Sequence, residues 1–540
     1  MYKAAEPTVT FMLNVHAERP LQAQLFEQIR AMIHDGQLKS GQALPATRAL
    51  SEQLGVSRNT VVLAYDRLLS EGYIESKRSI GTFVSQAIPD DGILLKEPVS
   101  DAPLDALADE GGVSTAQFLA EQHLADHDFD LDEMKSDRPT SLDLQTEVLD
   151  LGIDFCPGLM DADLFPVGAW RRIYHRKCAQ IERYLNHVDP QGLYELRRAI
   201  ADHLGPARGI ISRAQDIVVT TSVQDARALL SQLLLHLPGQ KQDKSHVIME
   251  SPGPAGVAEL AHQAKAELIA IEVDEEGLRT DLLAKIKQDP LRGMIYVCPG
   301  QHFPLGLSLS LQRRIELLEW AHTSGLMVVE DGSDSDFCFS GAPLTALKGL
   351  DNHDDVIYLG GFEKAMGPAL GLGFLVLPRP LIKVARMIRK TTLSGPSNLE
   401  QASMAEFLES GAYDRHLRKC VKRAKEKRDI LEQALHSHFG DTSFVNSQGG
   451  LQLGWPVPDR FGSAEKIADQ ALSECQLKLY PLGTGGSYLE DKTLKVAGKK
   501  ARQILIFGFG ALSVSEINQG VERLALLLNG ALKPKAGRKA

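Results

Sequence analysis

Apolar residues first recur at helical spacing at Leu21, Leu25, Ile29 and Ile33, and Asp35-Gly36 stops the helix that they predict. Leu44-Pro45 opens a second helix over residues 47–54, Gly55 makes a tight turn, and Ser57 caps a third helix that runs to about Glu71. Gly72 ends it. Tyr73-Ile74-Glu75 and Thr82-Phe83-Val84 then read as two short strands around a polar loop at 76–81. Val61, Val62, Ala64, Tyr65 and Leu68 are the core positions of the third helix. Residues 15–85 thus form a compact helical unit that ends in a hairpin.

Periodicity fades over residues 86–151, apart from a weak helical signal around 115–124, and the segment reads as a linker sensitive to protease. Strands and helices then alternate from Ile153. Short apolar runs at 217–221, 246–250, 268–273, 293–298, 326–330, 356–360 and 373–377 predict an α/β domain with a mostly parallel sheet. Beyond Thr392 come long amphipathic helices, then short strands at 451–454 and 504–508, a pattern that suits a smaller α+β subdomain. The C-terminal unit spans 152–535.

The chain has 540 residues, 43% of them hydrophobic and 24% charged, a balance ordinary for a soluble globular protein of two or three domains. No apolar run reaches the roughly 18 residues of a membrane span, no secretion signal is legible at the N-terminus, and the six cysteines form no C-x-x-C pair. The expected setting is the cytoplasm. A net charge of -11 argues at first sight against nucleic acid. Residues 86–151, however, hold 17 acidic and 3 basic residues, so the rest of the chain is slightly basic. That acidic run is a solvated spacer, or else a competitor with DNA for the basic face of the first unit.

A helix-turn-helix needs a supporting helix, a tight turn, and a second helix whose start enters the major groove. Leu54-Gly55-Val56 supplies the turn, and Ser57-Arg58-Asn59-Thr60 supplies the start. Arg suits guanine edges, Asn suits adenine edges, and Ser and Thr bond phosphates or bases. Arg48 is placed to reach a backbone phosphate, and Lys77 and Arg78 on the wing loop suit phosphate or minor-groove contact. With LPATR, GVSRNTV and the GTFV wing, residues 20–85 closely resemble the GntR family. The resemblance implies that Arg48, Ser57, Arg58, Thr60 and Gly81 lie at double-stranded operator DNA.

The join to a long α/β domain resembles the MocR (GabR-like) branch of GntR regulators, whose second part is similar to fold-type I, PLP-dependent aminotransferases. The strings IDFCPGLMDADLFPVGAW, DPQGLYELRRAIADHL with ARGI, and YLGGFEKAMGPALGLGF carry it. The resemblance implies that Lys364 forms the Schiff base with PLP, that Asp331 pairs with the pyridinium nitrogen, and that backbone N–H groups at Ser222-Val223-Gln224 hold the phosphate. It also implies a homodimer. Several positions depart from the family pattern. The residue before the lysine, usually Ser or Thr, is Glu363, and the arginine of GLRLGY is Gly371. The stacking aromatic of PGYPG is Pro254, and the tyrosine of EDDYDSEF is Ser333. The usual substrate-carboxylate arginine has no counterpart at 504–509. PLP binding therefore stays open, against an inherited lysine in a salt bridge with Glu363 or Asp331. His302, near the same pocket, reads as packing.

The expected function is a DNA-binding transcription regulator, not an enzyme, whose aminotransferase-like domain dimerises and senses a small amine, an amino acid or PLP. The rivals are a working aminotransferase with a DNA-binding appendage, and a degenerate scaffold that only dimerises or binds something else.

Overall fold

A computed structural model of the chain describes residues 11, 13, 21–34, 36–70, 73–77 and 81–85, and then 152–530 apart from 187–188, 237–244, 287–290, 340–343, 393–394, 441, 446–447, 491–494 and 497. The acidic segment 86–151, with its expected helix at 115–124, lies outside the described residues.

The first unit follows its sequence pattern closely. Helices α1 (Leu21–His34), α2 (Thr47–Leu54) and α3 (Arg58–Ser70) enclose Leu25, Phe26, Ile29, Leu50, Val61, Ala64 and Leu68, all buried. Val62, expected in the core, is only half-buried. Gly55 stands at φ 64, the left-handed conformation that ends α2 and turns the chain into α3 at no steric cost. The wing has strands β2 (Ile74–Lys77) and β3 (Gly81–Val84), and a strand the sequence did not suggest, β1 (Ala43–Leu44), pairs antiparallel with β3.

The second unit holds, among the described residues, an eight-stranded sheet. Its strands are β4 (Ile217–Thr220), β5 (His246–Ser251), β6 (Glu267–Asp274), β7 (Gly277–Leu278), β8 (Gly293–Val297), β9 (Met327–Asp331), β10 (Val356–Gly361) and β11 (Gly373–Val376), in the order β4-β11-β10-β9-β8-β5-β6-β7. The five strands β10-β9-β8-β5-β6 are parallel, and β11 is inserted antiparallel to both its neighbours. Each apolar run of the sequence is one of these strands, shifted by at most a residue at an end. Helices cover both faces. On one side α4 (Val223–Leu234), α5 (Ala255–Gln263) and α6 (Arg379–Thr392) bury Leu229, Leu233, Val257 and Leu381 against Met249, Met294 and Leu359. On the other, α7 (Leu311–Ser324) buries Leu317 against Ile295 and Val328.

Long helix α8 (Ala412–Phe439) leads into a smaller layer of strands β12 (Gln452–Pro456), β13 (Tyr480–Pro481) and β14 (Ile504–Gly508), which are antiparallel in the order β12-β14-β13. Trp455, Phe507 and Leu453 fill its core. Among the described residues the winged unit donates hydrogen bonds to the larger one from the Gln22 amide to the Glu409 carbonyl at 3.2 Å and from the Arg67 guanidinium to the Asp202 carbonyl at 3.1 Å.

In open parallel sheets, ligands collect where strands end, because loops and helix N-termini diverge there. The C-terminal ends of β4, β9 and β10 lead here to Ser222-Val223, Asp331 and Glu363-Lys364.

Candidate functional site

The start of α3 is exposed. Ser57 Oγ accepts the Thr60 N–H at 3.1 Å and lies 2.8 Å from Thr60 Oγ1, so the hydroxyl pair closes the helix N-terminus. Arg58 is exposed beside them. Asn59 lies in the same turn, and its side chain is outside the description. Arg48 on α2 is exposed, and its guanidinium reaches Glu52 at 3.1 Å, one helical turn on. Side chains that are 81% and 70% exposed hold such a pair weakly, so it leaves Arg48 available to a phosphate. On the wing, Lys77 pairs in register with Gly81, whose φ of 141 favours glycine. The Lys77 side chain and all of Arg78 lie outside the described residues.

The second constellation is buried and crowded. Ser222 caps α4, its Oγ accepting the Asp225 N–H at 3.0 Å. The next N–H, that of Val223, donates to the Glu363 carboxylate at 3.0 Å. A second carboxylate, Asp225, closes the same turn. It accepts the Thr221 N–H at 2.8 Å and is held by the buried Arg389 at 2.9–3.0 Å. Asp331 is buried at the end of β9. One of its oxygens takes the Ser333 N–H at 3.0 Å, and the other takes the Arg227 guanidinium at 3.0 Å and the Tyr296 hydroxyl. Burial alone raises the Asp331 carboxyl, but Arg227 and these donors outweigh it and hold the group below its ordinary value. Arg227 also donates to Tyr296 Oη at 2.9 Å and to Gln224 at 3.2 Å. A Cβ on Gly256 would lie 3.2 Å from the same guanidinium, so Arg227 reaches from Asp331 to the first turn of α5.

Lys364 stands in the short helix 363–366, just past β10. Its Nζ donates to the Gly158 carbonyl at 2.9 Å and pairs with Asp334 at 3.3 Å. The ion pair weighed in the sequence therefore exists, but with Asp334 and with neither Glu363 nor Asp331. The reason is geometric: Glu363 turns to the start of α4, and Asp331 is taken by Arg227. Gly371 is left-handed at φ 65, Pro254 stands at the N-cap of α5, and Ser333 donates its N–H to Asp331. Arg227, Tyr296 and Asp334 escaped sequence reasoning. Only Arg227 left a signal: it lies four residues after Val223, and so on the same helix face.

Beyond Lys364 a cleft is lined by Met160, Asp161, Phe337, Arg423 and Lys427. Lys427 is nearly fully buried, paired with Asp161 at 2.7 Å and with the Gly510 carbonyl at 2.8 Å. His302, read as packing, is buried. Its Nε2 lies 2.9 Å from the Pro252 carbonyl and 3.9 Å from Glu250. Burial lowers His302 to about 4 and raises Glu250 to about 8, so at neutral pH the two are uncharged neighbours and not an ion pair.

Comparison with known proteins matches both units. Residues 21–84 match the family described as bacterial regulatory proteins, gntR family, and residues 146–481 match aminotransferase class I and II. A relative named "Probable rhizopine catabolism regulatory protein MocR", from Rhizobium meliloti, is 31% identical over 82% of this chain and 83% of its own. The HTH-type pyridoxine biosynthesis transcriptional regulator PdxR of Corynebacterium glutamicum is 29% identical over 81% of this chain and 84% of its own. Among solved structures, the kynurenine aminotransferase of Pyrococcus horikoshii covers 75% of this chain and 99% of its own, with a TM-score of 0.63 and 24% identity, a likeness of fold.

Proposed function

From the premise that the chain belongs to the MocR branch of GntR regulators, and in its larger part to the aminotransferase class I and II family, we propose that it is a transcription regulator that binds operator DNA. The observation that carries this reading is the exposed start of α3, where the Ser57–Thr60 cap leaves Arg58 open to a major groove. Arg58 and Asn59 read base edges. Ser57, Thr60, Arg48, Lys77 and Arg78 engage phosphates, and Gly81 lets the wing approach the backbone.

The large domain pairs two copies and senses a small molecule. In the cleft past Lys364, Lys427 is already paired with Asp161 and Lys364 with Asp334, so Arg423, held loosely by Asp161 at 3.8 Å, is the cation most open to the anionic group of an amino acid or a similar small effector. A working aminotransferase needs Asp331 and Lys364 free for cofactor and substrate, and the ion pairs with Arg227 and Asp334 weigh against that rival. Selection from random duplexes would give the operator, and fluorescence anisotropy of wild type and Arg58→Ala on it tests the reading. Equal affinity of the two proteins would refute the placement of α3. Sedimentation of the free protein tests the dimer.

A further inference from the structure

We propose that the chain carries its own substitute for the cofactor: Glu363 and Arg227 occupy the phosphate and pyridinium stations of the pocket, so the domain is built to be complete without PLP. The inference goes beyond the regulatory reading and can fail without it.

The family resemblance assigns the pocket two charged stations. A phosphate needs the N–H groups at the start of α4, which are a ready anion site. The Val223 N–H donates instead to Glu363 at 3.0 Å, and the first turn is also closed by Asp225. A dianion brought here meets two carboxylates. Among the described residues, Arg389 is the cation that offsets them, and it already contacts both oxygens of Asp225. Gly371 adds no cation. At the other station, Asp331 would have to face a protonated ring nitrogen. Its ion pair with Arg227 and the Tyr296 hydrogen bond already satisfy that face. A pyridinium would have to displace a guanidinium or lie beside one of like charge. Arg227 also reaches the first turn of α5 at Gly256, two residues past Pro254, the position where the resemblance puts the stacking aromatic.

The two substitutions agree in sign. An internal anion stands where the cofactor is anionic, and an internal cation stands where it is cationic. Lys364 completes the set, committed to Asp334 and the Gly158 carbonyl. Asp331, Lys364 and the N–H groups at the start of α4, which would hold PLP, are present, but each is engaged by a neighbour in the chain. The pocket does not fit PLP. Glu363 ties the start of α4 to the end of β10, and Arg227 ties α4 to β9, so the fold is braced across the same elements that a cofactor would join.

The test is a titration of full-length protein with PLP, followed by aldimine absorbance, then by borohydride reduction and peptide mapping of the labelled lysine. Wild type is expected to show no saturable binding and no label on Lys364, with at most scattered labelling of surface lysines. PLP is expected to leave its melting temperature unchanged. Glu363→Ser and Arg227→Leu each vacate a station, and the double variant is expected to gain PLP affinity by about 10- to 100-fold through charge-assisted bonds. It is also expected to melt lower than wild type and to recover on adding PLP. Saturable labelling of wild type at Lys364 would overturn the proposal, and that experiment needs no variant to fold. A folded double variant that neither melts lower nor gains PLP would overturn the roles given to Glu363 and Arg227. Glu363→Gln, which keeps an oxygen for the Val223 N–H, separates charge from shape: it is expected to keep most stability and still admit PLP better than wild type.

Discussion

The winged unit and the aminotransferase-like pocket are both built around charged residues at the ends of regular elements, and they treat those charges in opposite ways. At the start of α3 the local polar groups cap each other and Arg58 is exposed, while Arg48 sits in a pair too exposed to hold it. At the start of α4 and the end of β9, the charges are held by neighbours in the chain: half-buried Glu363 by the Val223 N–H, Asp331 by Arg227, and Asp225 by Arg389. A binding surface for DNA keeps its cations where counterions can be exchanged. A charged ligand entering a pocket whose charges are paired internally must first break such a pair. The two regions therefore differ in how far their charges stand open to a partner.

The contrast is broken most forcefully inside the pocket. Arg227→Leu leaves the Asp331 carboxylate buried with no cation, and breaking such a pair costs roughly 3–5 kcal/mol. Thermal or urea unfolding should register it as a large loss of stability. Exchanging both residues for a neutral pair, as in Arg227→Leu with Asp331→Asn, should restore much of it. A small effect from Arg227→Leu would mean that water reaches Asp331 and that the pocket is more open than its burial indicates.

A second effect concerns pH, and it should fall on the large domain. Glu250 is buried at the end of β5 and accepts the Cys298 N–H at 2.8 Å, and burial lifts it to about 8 from an ordinary 4.5. The folded state thus binds a proton that the unfolded chain releases. The stability that Glu250 contributes is complete below pH 4.5 and is lost as pH rises toward 8. His302 has the opposite sign. Lowered to about 4 from 6.5, it contributes fully above pH 6.5 and loses that contribution as pH falls toward 4. Of these two contributions only that of Glu250 changes between pH 6.5 and 8, and it lowers stability as pH rises across that window. Glu250→Gln, close in shape to the neutral acid, should flatten it. An unchanged slope in that variant would show that Glu250 is already ionised in the folded protein.

Much of this architecture was legible before the structure, and the reason is local. Helices α1 to α3 write their periodicity into consecutive residues, and the strands of the large sheet are continuous apolar runs because both faces are covered. What could not be read was set by register across the sheet. The antiparallel insertion of β11 leaves no trace in the run 373–377, which looks like its parallel neighbours. The two residues of β1 are too few to show a period. In the candidate site, Lys364, Asp331 and the start of α4 stood in recognisable strings, whereas their partners did not. Asp334 is one of several acids in VVEDGSDSDF, and Tyr296 is one apolar position of a strand. Arg227 shares a helix face with Val223, but the sequence does not show that β9 lies beneath that face. Pairing partners are a tertiary property, and the sequence marks the sites more clearly than it marks what fills them.

On the winged side the expected effects are smaller and leave stability alone. Arg58→Ala should lose about 1–3 kcal/mol of operator binding and relax base preference at one position in each half-site, because it removes a base-edge contact. Its melting curve should match wild type, since the side chain is exposed. The same change in melting as in binding would make Arg58 a structural residue and erase the distinction between the two regions.

The smallest effect, and the finest test of the contrast, is Arg48→Ala. If Arg48 meets a phosphate, its loss weakens specific and random duplexes alike and lowers the slope of log affinity against log salt by about 1. The pair with Glu52 complicates the reading, because binding must break it. At these exposures it contributes about 0.5 kcal/mol or less, so Glu52→Ala should slightly tighten DNA binding by freeing Arg48. The two changes together should behave as Arg48→Ala alone. If instead Arg48→Ala alters affinity for the operator but not for random DNA, Arg48 reads sequence and the start of α2 reaches further into the groove than its place in the fold implies. If neither changes, the phosphate contacts come from the wing, and Lys77 and Arg78 become the residues to remove next.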